Sequence, residues 1–121
     1  MIVAGFGFRH GADVDSLIDA LARAQRGHPP AGIVATLLSK IPLVEQLAEI
    51  LGIPVLAYGV DAAAGMGTLT QSPASHTAKG TGSVAEAAAL LGAGPGAWLL
   101  SPRHISSDRM ATCALARGVV Q

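Results

Sequence analysis

The residues best suited to chemistry lie at the start of the chain, where Met1 to Ala4 run into Gly5-x-Gly7-x-Arg9-x-Gly11. Glycines allow a backbone to approach a ligand and to take positive φ. An arginine beside them offers a planar two-pronged cation that matches carboxylate or phosphate. An amphipathic helix follows at once, and its free N–H groups favour anions. A tight strand-to-helix turn with a solvated arginine explains the same residues, so this stretch alone leaves both readings open.

Two further stretches carry residues of matching character. Thr36, Ser39 and Lys40 stand where a second strand should end, and Gly80, Thr81, Gly82 and Ser83 precede a third helix. Together with Gly5, Gly7, Arg9 and Gly11 they form a set of cations, hydroxyls and backbone donors. Such a set suits a ligand bearing several carboxylates or phosphates. Glu45 is the nearby carboxylate, and Glu45 or His10 would be the acid–base candidate if the chain were an enzyme. For Ser83 a capping role alone is a sufficient explanation.

The spacing of apolar residues supplies the elements that hold these groups. Ile2 to Gly7 reads as a buried strand. Asp13 is a candidate N-cap, and Val14, Leu17, Ile18 and Leu21 mark one helical face that stops near Gly27. Ile33 to Leu38 reads as a second strand. Val44, Leu47, Ala48 and Leu51 repeat the helical spacing after Pro42, Gly52 ends that helix, and Val55 to Tyr58 is a third strand. Strand, helix, strand, helix, strand with short connections predicts parallel βαβ units. Val60 to Ala64 fits one short helical turn, and residues 65–82 fit a long polar loop of a functional or mobile kind. Ser83 with Glu86 reads as a capping box for an alanine-rich helix. Ala97 to Leu100 and Met110 to Ala116 then form an antiparallel hairpin, because Ser101 to Arg109 is too short for a crossover helix. The expected fold is a single-domain α/β three-layer sandwich. Its sheet is mixed but mostly parallel, with helices on both faces and the hairpin at the C-terminal end.

Composition narrows the functional classes. The chain has 121 residues, half of them apolar and 13% charged, with eight basic residues balancing eight acidic ones. A formal net charge of zero gives no electrostatic case for a nucleic-acid partner, and it permits a homo-oligomer. The single Cys113 cannot form an internal disulfide, which fits a reducing cytoplasm. No stretch approaches the roughly 20 apolar residues of a membrane span, so no membrane partner is expected. The dinucleotide fingerprint fails, because its third glycine would fall on His10 and the second strand ends at Ser39-Lys40 rather than an acidic residue. No Gly-Lys-Ser/Thr phosphate loop occurs. The four histidines lack metal-site spacing, so neither cofactor nor metal is expected.

Three strings in order resemble a known family. They are Gly5-x-Gly7-x-Arg9-x-Gly11, then Thr36-x-x-Ser39-Lys40 with its Glu-x-Leu-Ala helix and Leu-Gly-Ile-Pro, then Gly82-Ser83-Val84-Ala85-Glu86-Ala87-Ala88-Ala89. The chain from Met1 to about Ala116 is similar to the cobalamin-biosynthesis family that joins CobE to the C-terminal domain of CbiG. Pro102-Arg103 and the strand Ala-Thr-Cys-Ala-Leu-Ala resemble its closing hairpin. The resemblance implies a role in building the corrin ring, with a precorrin or corrinoid intermediate as ligand. A free-standing chain of this size is most like the CobE branch, of the oxygen-dependent route. CbiG-type proteins open a ring lactone and release acetaldehyde. The part that corresponds here is their C-terminal domain, so binding carries over more directly than hydrolysis. Docking onto another enzyme of the pathway is a further expectation.

Overall fold

The computed structural model describes residues 1–59 and 81–119, without the side chains of residues 81–83. Nine short stretches follow in order: β1 (Ile2–Phe8), α1 (Val14–Gln25), β2 (Ile33–Leu37), a 3-10 turn (Leu38–Lys40), α2 (Ile41–Leu51), β3 (Val55–Tyr58), α3 (Thr81–Ala93), β4 (Trp98–Ile105) and β5 (Ala111–Arg117). The expected helical turn at Val60 to Ala64 and the loop of 65–82 lie outside the described residues, apart from the start of α3.

The strands form one sheet in the order β3-β2-β1-β5-β4. β1 pairs in parallel with β2, and β2 with β3. β5 runs antiparallel to both β1 and β4. β4 therefore points the same way as β1, and β5 is the one reversed strand. The fold is the expected mixed α/β sandwich with its C-terminal hairpin.

Side-chain parity explains the layers. Ile2, Ala4 and Phe6 of β1 pack with Leu17, Leu21, Val44 and Leu47, so α1 and α2 cover one face. Val3, Ala35 and Ala116 pack with Ala88, Ala89 and Ala93, so α3 covers the other. Successive strand residues point to opposite faces, and one strand thus serves both layers. Tyr58 tethers β3 to α3 through its hydroxyl, which donates to the Leu91 carbonyl at 3.2 Å. Partial burial raises its phenol above the ordinary range. Cys113 is fully buried on β5, and desolvation pushes its thiol up.

Local sequence signals set the helix ends. Asp13 caps α1 by accepting from the Ser16 N–H at 3.0 Å, completing a reciprocal capping box worth about 1 kcal/mol. Gly52 closes α2 in the left-handed region at φ 70°. α3 departs from expectation. It begins at Thr81, so Ser83 lies inside its first turn rather than before it. Glu86 is fully buried, and its carboxylate accepts from the Arg103 N–H of β4 at 3.2 Å. β4 also runs past the expected Leu100, through Pro102, to Ile105. Register shifts between Leu99 and Ser101 and between Ser101 and His104 accommodate the proline on this edge strand. Among the described residues, no helix is long and apolar enough to cross a membrane.

Candidate functional site

The helical connections divide between the two faces of the sheet, α1 and α2 on one and α3 on the other. α1 joins β1 to β2 on one side, and α3 precedes β4 on the other. The strand order therefore reverses beside β1, and open α/β sheets bind ligands at the carboxyl end of such a strand. At that end the structure has a cleft of about 340 Å³. It is lined by Gly7, Phe8, Arg9, Arg103, Ile105, Arg109, Met110, Ala111 and Thr112.

Arg9 leaves the end of β1, and its N–H donates to the Met110 carbonyl at 2.8 Å, which ties the first turn to the hairpin. Arg103 lies at the register shift of β4, where the buried Glu86 holds its backbone. Arg109 belongs to the turn between β4 and β5 and has φ 62°. Three arginines thus line one small cleft, and no ion pair between described residues involves any of them; the ion pair among the described residues is Arg23 with Asp19 at 3.0 Å. Phe8, Ile105 and Met110 give the cleft an apolar lining. Val84, in the first turns of α3, lies against Gly7, so the amino end of α3 opens toward the same region.

The residues singled out in the sequence have divided fates. Arg9 and Gly7 line the cleft. Gly11 makes the turn behind them at φ 96°. Gly5 seats α3, because a Cβ there would fall 2.0 Å from the Ala85 carbonyl oxygen and 2.4 Å from the Ala89 nitrogen. Thr36 is fully buried, and its hydroxyl donates to the Phe6 carbonyl at 3.1 Å, so it ties β2 to β1 rather than facing a ligand. Lys40 donates to the Phe8 carbonyl at 2.8 Å, and its ammonium lies 4.8 Å from the Phe8 ring centre. That cation braces the rim instead of lining the cleft. Ser39 is exposed on the 3-10 turn beside it. Thr81, Gly82 and Ser83 form the first turn of α3, while Gly80 lies outside the described residues.

Neither acid–base candidate lines the cleft. His10 is exposed in the first turn. Glu45 borders a separate hollow with Glu49, Gly52 and Pro54, toward the other end of the sheet. Arg109 entered the sequence reading only as the end of the connection from Ser101, and Arg103 only as part of the hairpin. The available signal was charge economy: in a chain with eight basic residues, two arginines flank one hairpin turn.

The sequence matches the family described as Cobalamin synthesis G C-terminus over residues 2–116. No curated protein matches it. Among solved structures, the chain is similar to CobE, a protein from the cobalamin (vitamin B12) biosynthetic pathway. The identity is 32% and the TM-score 0.82, covering 100% of this chain and 92% of that one. It is also similar to cobalamin biosynthesis protein chiG from Agrobacterium tumefaciens str. C58, at 30% identity and TM-score 0.71, over 99% of this chain and 100% of that one. A cobalamin biosynthesis protein G homolog from Sulfolobus solfataricus shares the fold at TM-score 0.74 and 22% identity, over 95% of this chain and 36% of that one. The chain belongs to the family of the cobalamin synthesis G C-terminus, and it is a cobalamin-biosynthesis protein of the CobE and CbiG type.

Proposed function

We propose that the cleft binds a precorrin or corrinoid intermediate by its peripheral carboxylates. The observation that carries this reading is the convergence of Arg9, Arg103 and Arg109 on one cleft, with no carboxylate among its lining residues. Precorrins carry acetate and propionate side chains around an apolar ring. Guanidinium forks match those carboxylates, and Phe8, Ile105 and Met110 match the ring edge. A cleft of about 340 Å³ is at the small end of ligand pockets, so it would take one edge of a macrocycle and leave the rest outside. The amino end of α3 adds favourable potential for an anion. Binding without turnover is the better match, since the described lining contains no carboxylate or imidazole to move a proton. Placement in the oxygen-dependent route rests on the likeness to CobE.

The test is retention of ligand. The purified protein is mixed with hydrogenobyrinic acid and with precorrin intermediates, desalted, and read by visible spectrum and mass. Coloured ligand of unchanged mass is expected in the protein fraction. A changed mass would replace this reading with an enzyme whose reaction the mass difference identifies. Free protein in every case would overturn it.

A further inference from the structure

The turn joining β4 to β5 has an unusual occupant. Arg109 donates its N–H to the Ser106 carbonyl at 2.9 Å, and Ser106 donates to the Ala111 carbonyl at 2.9 Å. This is a hairpin turn followed by a residue in the left-handed region, a position that glycine ordinarily fills. Here the residue is Arg109 at φ 62°, the one described non-glycine residue with positive φ. A Cβ makes that conformation costly, and Asn or Gly adopts it more readily.

Such strain persists only where neighbours enforce it. Asp108 accepts from the hydroxyls of Ser106 and Ser16, and from the Met110 N–H at 3.0 Å. Asp19 accepts from the Ser107 N–H. Two residues of α1 therefore clamp the turn from outside, and the Arg9 N–H donates to the Met110 carbonyl within it. The clamp fixes the backbone that carries Arg109 on the cleft wall.

We infer that Arg109 is a carboxylate-binding residue whose strained left-handed backbone fixes, before ligand arrives, the point on the cleft wall from which its side chain extends. This rests on the carboxylate-binding reading of the cleft and adds to it the device that positions one of its arginines. A turn already fixed has less freedom to lose on binding than a loose one, and a charge-assisted pair is the stronger kind of hydrogen bond.

The test sets stability against binding in the full chain. Arg109→Gly and Arg109→Asn are compared with wild type and with Arg26→Asn, which removes the same charge from the exposed end of α1. The probes are hydrogenobyrinic acid and mellitate, a small rigid polycarboxylate. Both Arg109 variants should hold or raise Tm, by about 3 °C at most. Both should weaken binding by about tenfold or more, while Arg26→Asn leaves it unchanged. Retained affinity in Arg109→Gly and Arg109→Asn would overturn the assignment and leave the corrinoid reading standing. So would a loss equal to that of Arg26→Asn, which would mark a general charge effect. If wild type takes mellitate but neither hydrogenobyrinic acid nor any precorrin intermediate, and Arg109→Gly loses mellitate, Arg109 stands and the corrinoid reading falls. If wild type takes neither probe, both fall.

Discussion

The two faces of the sheet are packed on opposite principles. Against α1 and α2, the sheet presents Phe6, Val34 and Leu115, and the helices answer with Leu17, Val44 and Leu47. Bulk fills that interior. Against α3, the sheet presents Gly5, Gly7 and Ala35, and the helix answers with Ala85, Ala88, Ala89 and Gly92. There the lack of side chain lets helix and strand backbones approach. A Cβ on Gly92 would fall 2.7 Å from a Val3 methyl, and one on Gly118 would fall 2.7 Å from the Ala93 carbonyl oxygen. The glycines in and just after the first strand therefore have three tasks within a few residues. Gly5 seats a helix, Gly7 touches both helix and cleft, and Gly11 turns the chain.

The contrast is breakable by substitution. Gly5→Ala is expected to have the largest effect, about 4 kcal/mol, above the ~1–3 kcal/mol of ordinary overpacking, because the added methyl meets backbone atoms rather than a mobile side chain. Leu17→Ala follows at about 3 kcal/mol, through the cavity it leaves. Urea denaturation of both variants reads the pair. A mild Gly5→Ala would mean that α3 slides readily on the sheet, and the contrast between faces would lapse.

A smaller effect sharpens the picture at the hairpin. Donated hydroxyls of Ser106 and Ser16 hold the Asp108 carboxyl below its ordinary range. Its contribution is full above the unfolded pKa of about 4 and fades as pH falls through the lower folded value. Asp108→Ala should therefore lower the urea midpoint modestly at pH 7, with the gap closing in more acid solution. A gap independent of pH would show that the carboxylate's charge is not what grips the turn.

The parallel half of the fold was legible because its signals are local. Asp13 caps, the spacing from Val14 to Leu21 marks a face, and Gly52 stops a helix at positive φ. The hairpin resisted because its geometry is tertiary. Pro102 argues for a strand end, yet the register shifts carry β4 beyond it. The capping-box spacing of Ser83 and Glu86 suggested a helix start, but the buried carboxylate reaches another strand. Half of the candidate site shared that difficulty. Arg9 announced itself through the glycines around it. Arg109 could not, since a left-handed arginine leaves no trace in hydrophobic periodicity, and neither does the clamp from α1.

The Gly118 N–H donates to the Met1 carbonyl at 2.9 Å, so the two ends of the described chain meet at the start of β1. The cleft lies at its other end, a strand of seven residues or about 20 Å away. Material attached beyond the described ends, Met1 and Val119, therefore leaves the fold on the side remote from the arginines. An affinity tag, a fluorophore, a sensor chip or a fused protein can be anchored there while the mouth of the cleft stays open. Immobilised binding measurements on this chain should accordingly agree with those in free solution.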